Sequence, residues 1–538
     1  MSKLTRVTDV YVWVKSKLAG AIQRLLEDRL DDYVSIKDFG AKGDGITDDT
    51  AAIQAAINAC KGKRALHAPS GRYVVTKPLV ADYALVLIGE GGNGFNGINS
   101  SHNPSPHFGT TFISRVTSGY TLSVAPNKFT FGLTLRDFCI EADESIQDST
   151  AGGLYLEHIG WTGVVDGINI EGFKGSGLGI GYIQDTHFNN LTVLRCGNKD
   201  VPSIDILHDS NYVYFDNCHI EKSAFLFRNN TAWEVYFSNT HFEIAEYIDP
   251  NLHRIDYKQA PIQLGTGETV CFSTCTFVPC SDQFLSSKLG VPLDSTPYFI
   301  TGAGTHTQFK DCKWIAPTGS ISAVHIDGYA TQMSGCYVKS MTPSRPSVWF
   351  KQAQVSNNQF SINTGADHQK LYGVWVDETG NFTNNYMGSS DVVTGGRRTE
   401  GILVGSAENA YSVKVSGNTY TLSTDVANRF VSQNCQIDGC DGGTEHFVGI
   451  QETSFAIDLE RYPPNVHFGI WSASWTLNDV TGIPTGRTVM FHAGQSGGTI
   501  NQGEHIKNQW HSHLSVNNGD TIMYRGVSDG TRRLFQVK

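Results

Sequence analysis

The sequence predicts an all-β chain: a right-handed single-stranded parallel β-helix with a short N-terminal helical segment and a C-terminal β domain. Three observations carry this expectation. A six-residue pattern (apolar, any, small or Asn, then Cys, Asn or apolar, any, apolar) returns along the chain as FDNCHI from Phe215, FSNTHF from Phe237, FSTCTF from Phe272, FKDCKW from Phe309, MSGCYV from Met333, VSNNQF from Val355, FTNNYM from Phe382 and VSGNTY from Val415. Weaker copies start at Leu135, Val165 and Phe188. Steps between fourth positions such as 168 to 191 (23 residues) and 218 to 240 (22 residues) suit one turn of a solenoid, and longer steps such as 240 to 275 (35 residues) imply inserted loops. Short alternating runs precede the copies, among them Leu154 to Leu156, Ile204 to Ile206 and Val324 to Ile326, and period-two alternation turns one set of side chains inward. Each coil of such a body buries its face only against its neighbours. Phe215, Ile220, Phe237 and Phe242 are therefore expected inside. Asn217, Asn239, Asn357 and Asn384 share one register and predict an internal amide ladder at a bend. Cys218, Cys275, Cys312 and Cys336 share the next.

Composition agrees. A solenoid accommodates 538 residues in one long body, and 56 glycines supply its tight turns. A formal charge of −11 argues against a nucleic-acid partner. No apolar run reaches the length of a membrane span, so no membrane insertion is expected. Met1 to Arg6 leads into no signal-peptide core, so no secretory leader is expected either. Eleven cysteines, an odd number with several at inward positions, read as buried reduced thiols of a protein made in a cytosol. Without a Cys-x-x-Cys pair no metal site is expected, nor any cofactor.

In chain order, Thr8 to Leu30 carries an apolar stripe (Tyr11, Val14, Leu18, Ala21, Leu25) and predicts a helix that caps the first coil or leads into a trimer. This gives a first segment, 1–32, for capping or attachment. The β-helix is expected over 33–443. From about Thr444 the ladder fades, and Trp471, Trp475, Trp510, His511 and His513 mark a last segment, 444–538, expected as a β-rich domain for trimerisation or carbohydrate binding.

The stretch Val34 to Cys60 (VSIKDFGAKGDGITDDTAAIQAAINAC) combines glycines that permit positive φ, Asp48 as a helix N-cap, and Ile53 and Ile57 on one helix face. With PSGRYVV from Pro69 and LIGEGG from Leu87 it resembles the opening coils of the pectate-lyase-like superfamily, best known from bacteriophage tailspikes and tail-fibre depolymerases. The motifs cover about the first hundred residues and are more specific for fold than for reaction. The resemblance implies a homotrimer on the virion tail, made in the host cytoplasm and attached to another tail protein through its N-terminal segment. Its implied partner is a bacterial surface polysaccharide.

Candidate chemistry lies on outward positions of the ladder. One outward column reads Glu141, Glu171, Leu194, Glu221, Glu243, Val278 and Ile315, and another places His219 and His241 in successive repeats. His219-Ile220-Glu221 and His241-Phe242-Glu243 are thus expected side by side at a strand spacing of about 4.8 Å. Stacked carboxylates repel, which makes one harder to ionise and suits it to act as general acid beside a base or nucleophile. Separations of about 5–5.5 Å suit retaining glycosidases and about 6.5–9.5 Å inverting ones. The bland alternative is a solvated face in which each Glu meets Arg195 or Lys222. Asp205, His208, Asp209, Arg228 and Arg254 are candidates to bind an acidic sugar or to complete the site, and Asp249 to Tyr257, in the long insertion after Glu243, to wall a substrate groove. Tyr212, Tyr214, Trp233 and Tyr236 are candidates to stack on sugar faces, or to fill core and subunit contacts. A lyase needs a base and a group neutralising a uronate, roles open to His219, His241, Lys222 and Tyr257. No dense Asp stripe of the calcium-dependent kind occurs, and Gly175-Ser176-Gly177 lacks the spacing of a nucleophile elbow. The expected function is cleavage of capsular or other surface polysaccharide, by glycoside hydrolysis or by β-elimination. A non-catalytic binding spike of the same fold is the remaining alternative.

Overall fold

The computed structural model describes residues 12–537 apart from 92–108, 245–258, 280–297, 316–322, 341–347, 363–369, 389–397, 405–411 and stretches of up to six residues elsewhere, most of them beyond 421. The chain is an all-β parallel β-helix. It divides into two compact units, Met1–Glu221 and Lys222–Lys538.

Each unit stacks three parallel sheets. In the first, the sheet before the repeated bend runs through Val86–Ile88, Thr134–Ala142, Gly163–Glu171, Gln184–Asn189 and Asn211–Asp216. The sheet after the bend ends in Thr192–Leu194 and His219–Glu221. A third holds Leu79–Ala81, Tyr120–Val124, Gly152–Leu156, Leu178–Ile180 and Ile204–Ile206. The second unit repeats the plan. Glu234–Ser238, Thr269–Ser273, His306–Lys310 and Thr331–Ser334 stack before the bend. His241–Glu243, Thr276–Val278, Lys313–Ile315 and Tyr337–Ser340 stack after it. Phe227–Asn229, Ile262–Leu264, Ile300–Gly302 and Val324–Ile326 form the third sheet.

The bend has one backbone solution. The third residue of every copy is left-handed: Asp137, Gly167, Asn190, Asn217, Asn239, Thr274, Asp311, Gly335, Asn357, Asn384 and Gly417 all have φ between 48° and 66°. Gly, Asn and Asp tolerate this region; Thr274, β-branched, occupies it under strain. The expected internal amide ladder is displaced by one position from these residues. Asn217, Asn239, Asn357 and Asn384 face solvent because a left-handed residue throws its side chain out of the turn. The ladder is made by the next position, where Asn358, Asn385 and Asn418 are buried. Asn358 Nδ2 donates to Asn385 Oδ1 and Asn385 Nδ2 to Asn418 Oδ1, both at 3.0 Å. Each of these amides also donates to the carbonyl of the first motif residue one coil back: Met333, Val355 and Phe382. The buried thiols of Cys218, Cys275, Cys312 and Cys336 make the same contact, with Phe188, Phe237, Phe272 and Phe309. Cys in the earlier coils and Asn in the later ones serve at this position because both are small enough for the turn and both carry a donor.

Phe215, Ile220, Phe237 and Phe242 are buried as expected. In the second unit Phe237, Phe272 and Phe309 stack with centroids 5.1 and 5.3 Å apart, and Phe242, Phe277 and Trp314 form a parallel stack at 5.3 and 4.6 Å.

Three local expectations are corrected. Of the helix expected over Thr8 to Leu30, the described residues form only Leu26–Leu30; Trp13–Lys15 and Gln23–Leu25 pair antiparallel instead, and Thr8 to Tyr11 lie outside the described residues. Val12, Trp13 and Val14 favour extended backbone, and Gly20 at φ 82° supplies the turn. The helix Thr50–Cys60 is capped in position by Asp49, not Asp48. The buried Asp49 carboxylate turns back to accept the N–H groups of Lys42 (2.6 Å) and Gly43 (3.0 Å), while Asp48 accepts that of Thr50. Gly43 has φ 65°, and a Cβ there would lie 2.7 Å from the Tyr73 ring. Past Thr444 parallel pairing persists: Val426–Phe430, His446–Ile450, Val466–Ile470 and Thr488–Ala493 stack in turn, and antiparallel pairing enters with Thr521–Ser528. Trp475 there is buried, and Trp471, Trp510, His511 and His513 lie outside the described residues.

Two stability outcomes follow. Asn385→Ala strands the Asn358 backbone N–H and one of its amide hydrogens in a dry interior. At ~1–3 kcal/mol per orphaned group the loss is on the order of 3 kcal/mol, read as a lower midpoint in denaturant. Thr274→Asn relieves the one β-branched left-handed bend and raises stability by roughly 1 kcal/mol in the same measurement.

Candidate functional site

The outward carboxylate column is present in the register the sequence implies. In the first unit Glu141 pairs with Glu171, Glu171 with Leu194 and Leu194 with Glu221. The members differ sharply in environment. Glu171 is 4% exposed, and Arg195 donates Nη2 to its Oε1 at 2.8 Å, so a guanidinium offsets the burial of its charge. Arg72 stands 3.7 Å from Glu141. For these two glutamates the bland reading holds: each is held by a cation.

Glu221 lies further along the column. Its side chain is largely enclosed, and its Oε1 lies 2.8 Å from His219 Nδ1, whose ring projects into solvent. Alternation explains the pair: in His219–Glu221 the middle residue, Ile220, points into the core and its neighbours share the outer face. The second unit builds the same device at His241–Glu243, with His241 Nε2 3.0 Å from Glu243 Oε2 and both side chains partly exposed. Beyond Glu243 its column turns apolar, since Val278 pairs with Glu243. A hydrogen-bonded imidazole–carboxylate pair at a surface can give or take a proton at either group.

The remaining candidates are dispersed. Asp205 is buried in Ile204–Ile206. Tyr236 is half-buried next to Cys271 in the adjoining strand, and Trp233 is exposed. Arg228 projects from Phe227–Asn229 with its guanidinium carbon 5.6 Å from the Phe225 ring centroid. Arg254 and Tyr257 lie outside the described residues. His208 joins a ladder that sequence reasoning missed: His158, Tyr182 and His208 stack at 5.5 and 5.0 Å, one per coil. The Tyr182 ring is covered on both faces by the two histidines. Tyr214 likewise stacks on His187 at 4.5 Å.

The second unit also contains a groove of about 450 Å³ on its third sheet. One outward column of that sheet, Arg228, Gln263, Thr301 and His325, lines it in strict register. Asn230, Thr266 and Asp327 line it too, and the small residues Gly265, Gly302 and Ala303 leave the space between. Apart from Arg228 no residue of this groove was singled out from the sequence, although reading the outward column of the third strand, coil by coil, finds it.

Comparisons with known proteins bear on this geometry. A family model described as rhamnogalacturonase A/epimerase, pectate lyase-like, matches residues 33–246. Depolymerase 1, capsule KN3-specific, of Klebsiella phage KN3-1 is 26% identical over 353 residues, 61% of this chain and 42% of the relative. Depolymerase 1, capsule K30/K69-specific, of Klebsiella phage K5-2 is 30% identical over 252 residues, 42% of this chain and 30% of the relative. The chain resembles phage tailspike depolymerases with a pectate-lyase-like fold. It spans less than half the length of these curated relatives. Among solved structures, tailspike protein 3 of bacteriophage CBA120 matches with a TM-score of 0.42 and 14% identity, over 86% of this chain and 69% of that one.

Proposed function

We propose that this chain belongs to a phage tailspike that binds bacterial capsular or other surface polysaccharide and cleaves it by glycoside hydrolysis, with Glu221 and Glu243 as its acid and base or nucleophile. The observation that carries the reading is the repeated His-x-Glu strand, each with its imidazole hydrogen-bonded to its carboxylate. The two glutamates differ in enclosure, Glu221 at 15% side-chain exposure and Glu243 at 35%. One of the two protonates the leaving oxygen while the other acts as base or nucleophile. His219 and His241 orient the carboxylates and hydrogen-bond sugar hydroxyls. The similarity to two capsule-specific depolymerases supports the substrate class. In the assembled spike the chain forms a homotrimer on the virion tail, joined to another tail protein through its N-terminal segment.

The experiment uses purified capsular polysaccharides from a Klebsiella type panel that includes KN3, K30 and K69. On a substrate the wild type degrades, Glu221→Gln and Glu243→Gln each lower the rate ~10²–10⁴-fold with melting temperature unchanged. Wild-type rates in both variants remove the two strands from the chemistry. Products that absorb in the unsaturated-uronate band assign a lyase instead. Light scattering in dilute native buffer returns three times the chain mass; a monomer mass overturns the trimer.

A further inference from the structure

We propose that the groove on the third sheet of the second unit is a separate oligosaccharide-holding site that retains the polysaccharide away from the cleaving strands. The inference deepens the polysaccharide reading above and rests on it for the ligand class, though not for the identity of the catalytic groups.

The groove and Glu243 sit on different sheets of one unit. Phe227–Asn229, Ile262–Leu264, Ile300–Gly302 and Val324–Ile326 carry the groove, whereas His241–Glu243 heads another stack. At about 450 Å³ it falls within the range of roughly 300–1,000 Å³ typical of ligand sites. Its shape follows from sequence. Gly265, Gly302 and Ala303 occupy positions where larger side chains would fill the space between the outward column and the following turn. At Gly302 a Cβ would lie 2.7 Å from the Leu264 carbonyl oxygen, so the strand spacing there depends on glycine.

The lining dictates the ligand class. It offers a guanidinium, the carboxamides of Gln263 and Asn230, the hydroxyls of Thr266 and Thr301, an imidazole and a carboxylate, with the Leu264 side chain buried beneath. Donors and acceptors are mixed and no large apolar side chain projects into the groove, which matches a polyhydroxylated chain and not a flat apolar molecule. The four-residue column is spaced by the parallel strands at ~4.8 Å, so it presents a hydrogen-bonding group at regular intervals over about 14 Å. A polysaccharide presents its hydroxyls with a comparable regularity. At one end of the column, His325 is held by stacking on Trp349 at 4.5 Å, and Trp349 is itself anchored by its Nε1 donating to Asp377 at 2.8 Å. The imidazole is therefore preorganised.

The test uses the full chain with the Glu243→Gln substitution as background, so that fragments are not consumed. Size-fractionated fragments, made by mild acid hydrolysis of the capsular polysaccharides in the same panel, are titrated by calorimetry. A fragment that binds the background protein is expected to lose at least tenfold in affinity with His325→Ala and with Gln263→Trp, which fills the groove. Gln263→Ala, a milder change on a partly exposed strand position, is expected to weaken binding several-fold and keeps the test valid where the other two fail to fold. Affinities unchanged in the groove variants, or no binding by any fragment of the panel, overturn the proposal. Failure of the catalytic assignment shows separately, as wild-type cleavage by Glu221→Gln and Glu243→Gln with groove binding intact.

Discussion

The coils of this chain depend on a left-handed residue at every bend, followed at seven of them by a small buried donor. The left-handed residue turns the strand, and the side chain after it donates back to a carbonyl in the previous coil, as Asn385 does to Val355 and Cys275 to Phe237. The turn would otherwise leave that carbonyl short of a partner in a dry interior, which is costly. Because the donor reaches back by one coil, each bend that carries one sets the register of its neighbour. The aromatic stacks follow from this register. Phe237, Phe272 and Phe309 overlap nearly face to face, with interplanar angles of 6° and 4°, because each occupies the same place relative to its bend. Length variation is pushed elsewhere. The 35-residue step from 240 to 275 leaves the bend at Thr274 in register with that at Asn239, which Thr274 contacts through its hydroxyl at 2.6 Å.

This division of labour explains how much was legible from sequence. The bend positions have only a few acceptable residues, so the pattern could be read without a structure, and so could the burial of Phe215, Ile220, Phe237 and Phe242. Which of two adjacent asparagines turns inward could not. In VSNNQF and FTNNYM both are polar and both suit a turn, and the choice depends on φ, which places Asn357 and Asn384 outside and Asn358 and Asn385 inside. The N-terminal stripe misled for a related reason. Tyr11, Val14 and Leu18 satisfy helical spacing, but Leu18 is 77% exposed and Gly20 turns the chain, so spacing without a partner surface carried no force.

The outer face was legible in position and not in state. Register fixes where Glu141, Glu171 and Glu221 lie, yet their partners come from residues whose reach the pattern does not constrain. Arg195 follows its strand by one residue and turns back along the coil at φ 50° to grip Glu171. Nothing in the spacing distinguishes that glutamate from Glu221, which shares a hydrogen bond with a histidine two residues away on its own strand. Intra-strand pairs such as His219 with Glu221 can be read directly from the i, i+2 alternation. Cross-coil pairs cannot, because rotamers decide them.

A repeating ligand and a repeating protein suit each other for an energetic reason. A single groove of hydroxyl, amide and imidazole contacts replaces water with little net gain per hydrogen bond, on the order of 1 kcal/mol each. One such site binds weakly. On the proposed reading, a polymer held at the groove presents its next units to His241–Glu243 at high effective concentration, so the second encounter is intramolecular and its entropy cost is reduced. Weak retention is then an advantage. A groove that bound tightly would hold the product after each cut and slow release. The mixed lining of Arg228, Gln263, Thr301 and His325, polar throughout, has the character of such a site: regular enough to keep hold of a polymer and weak enough to let it advance.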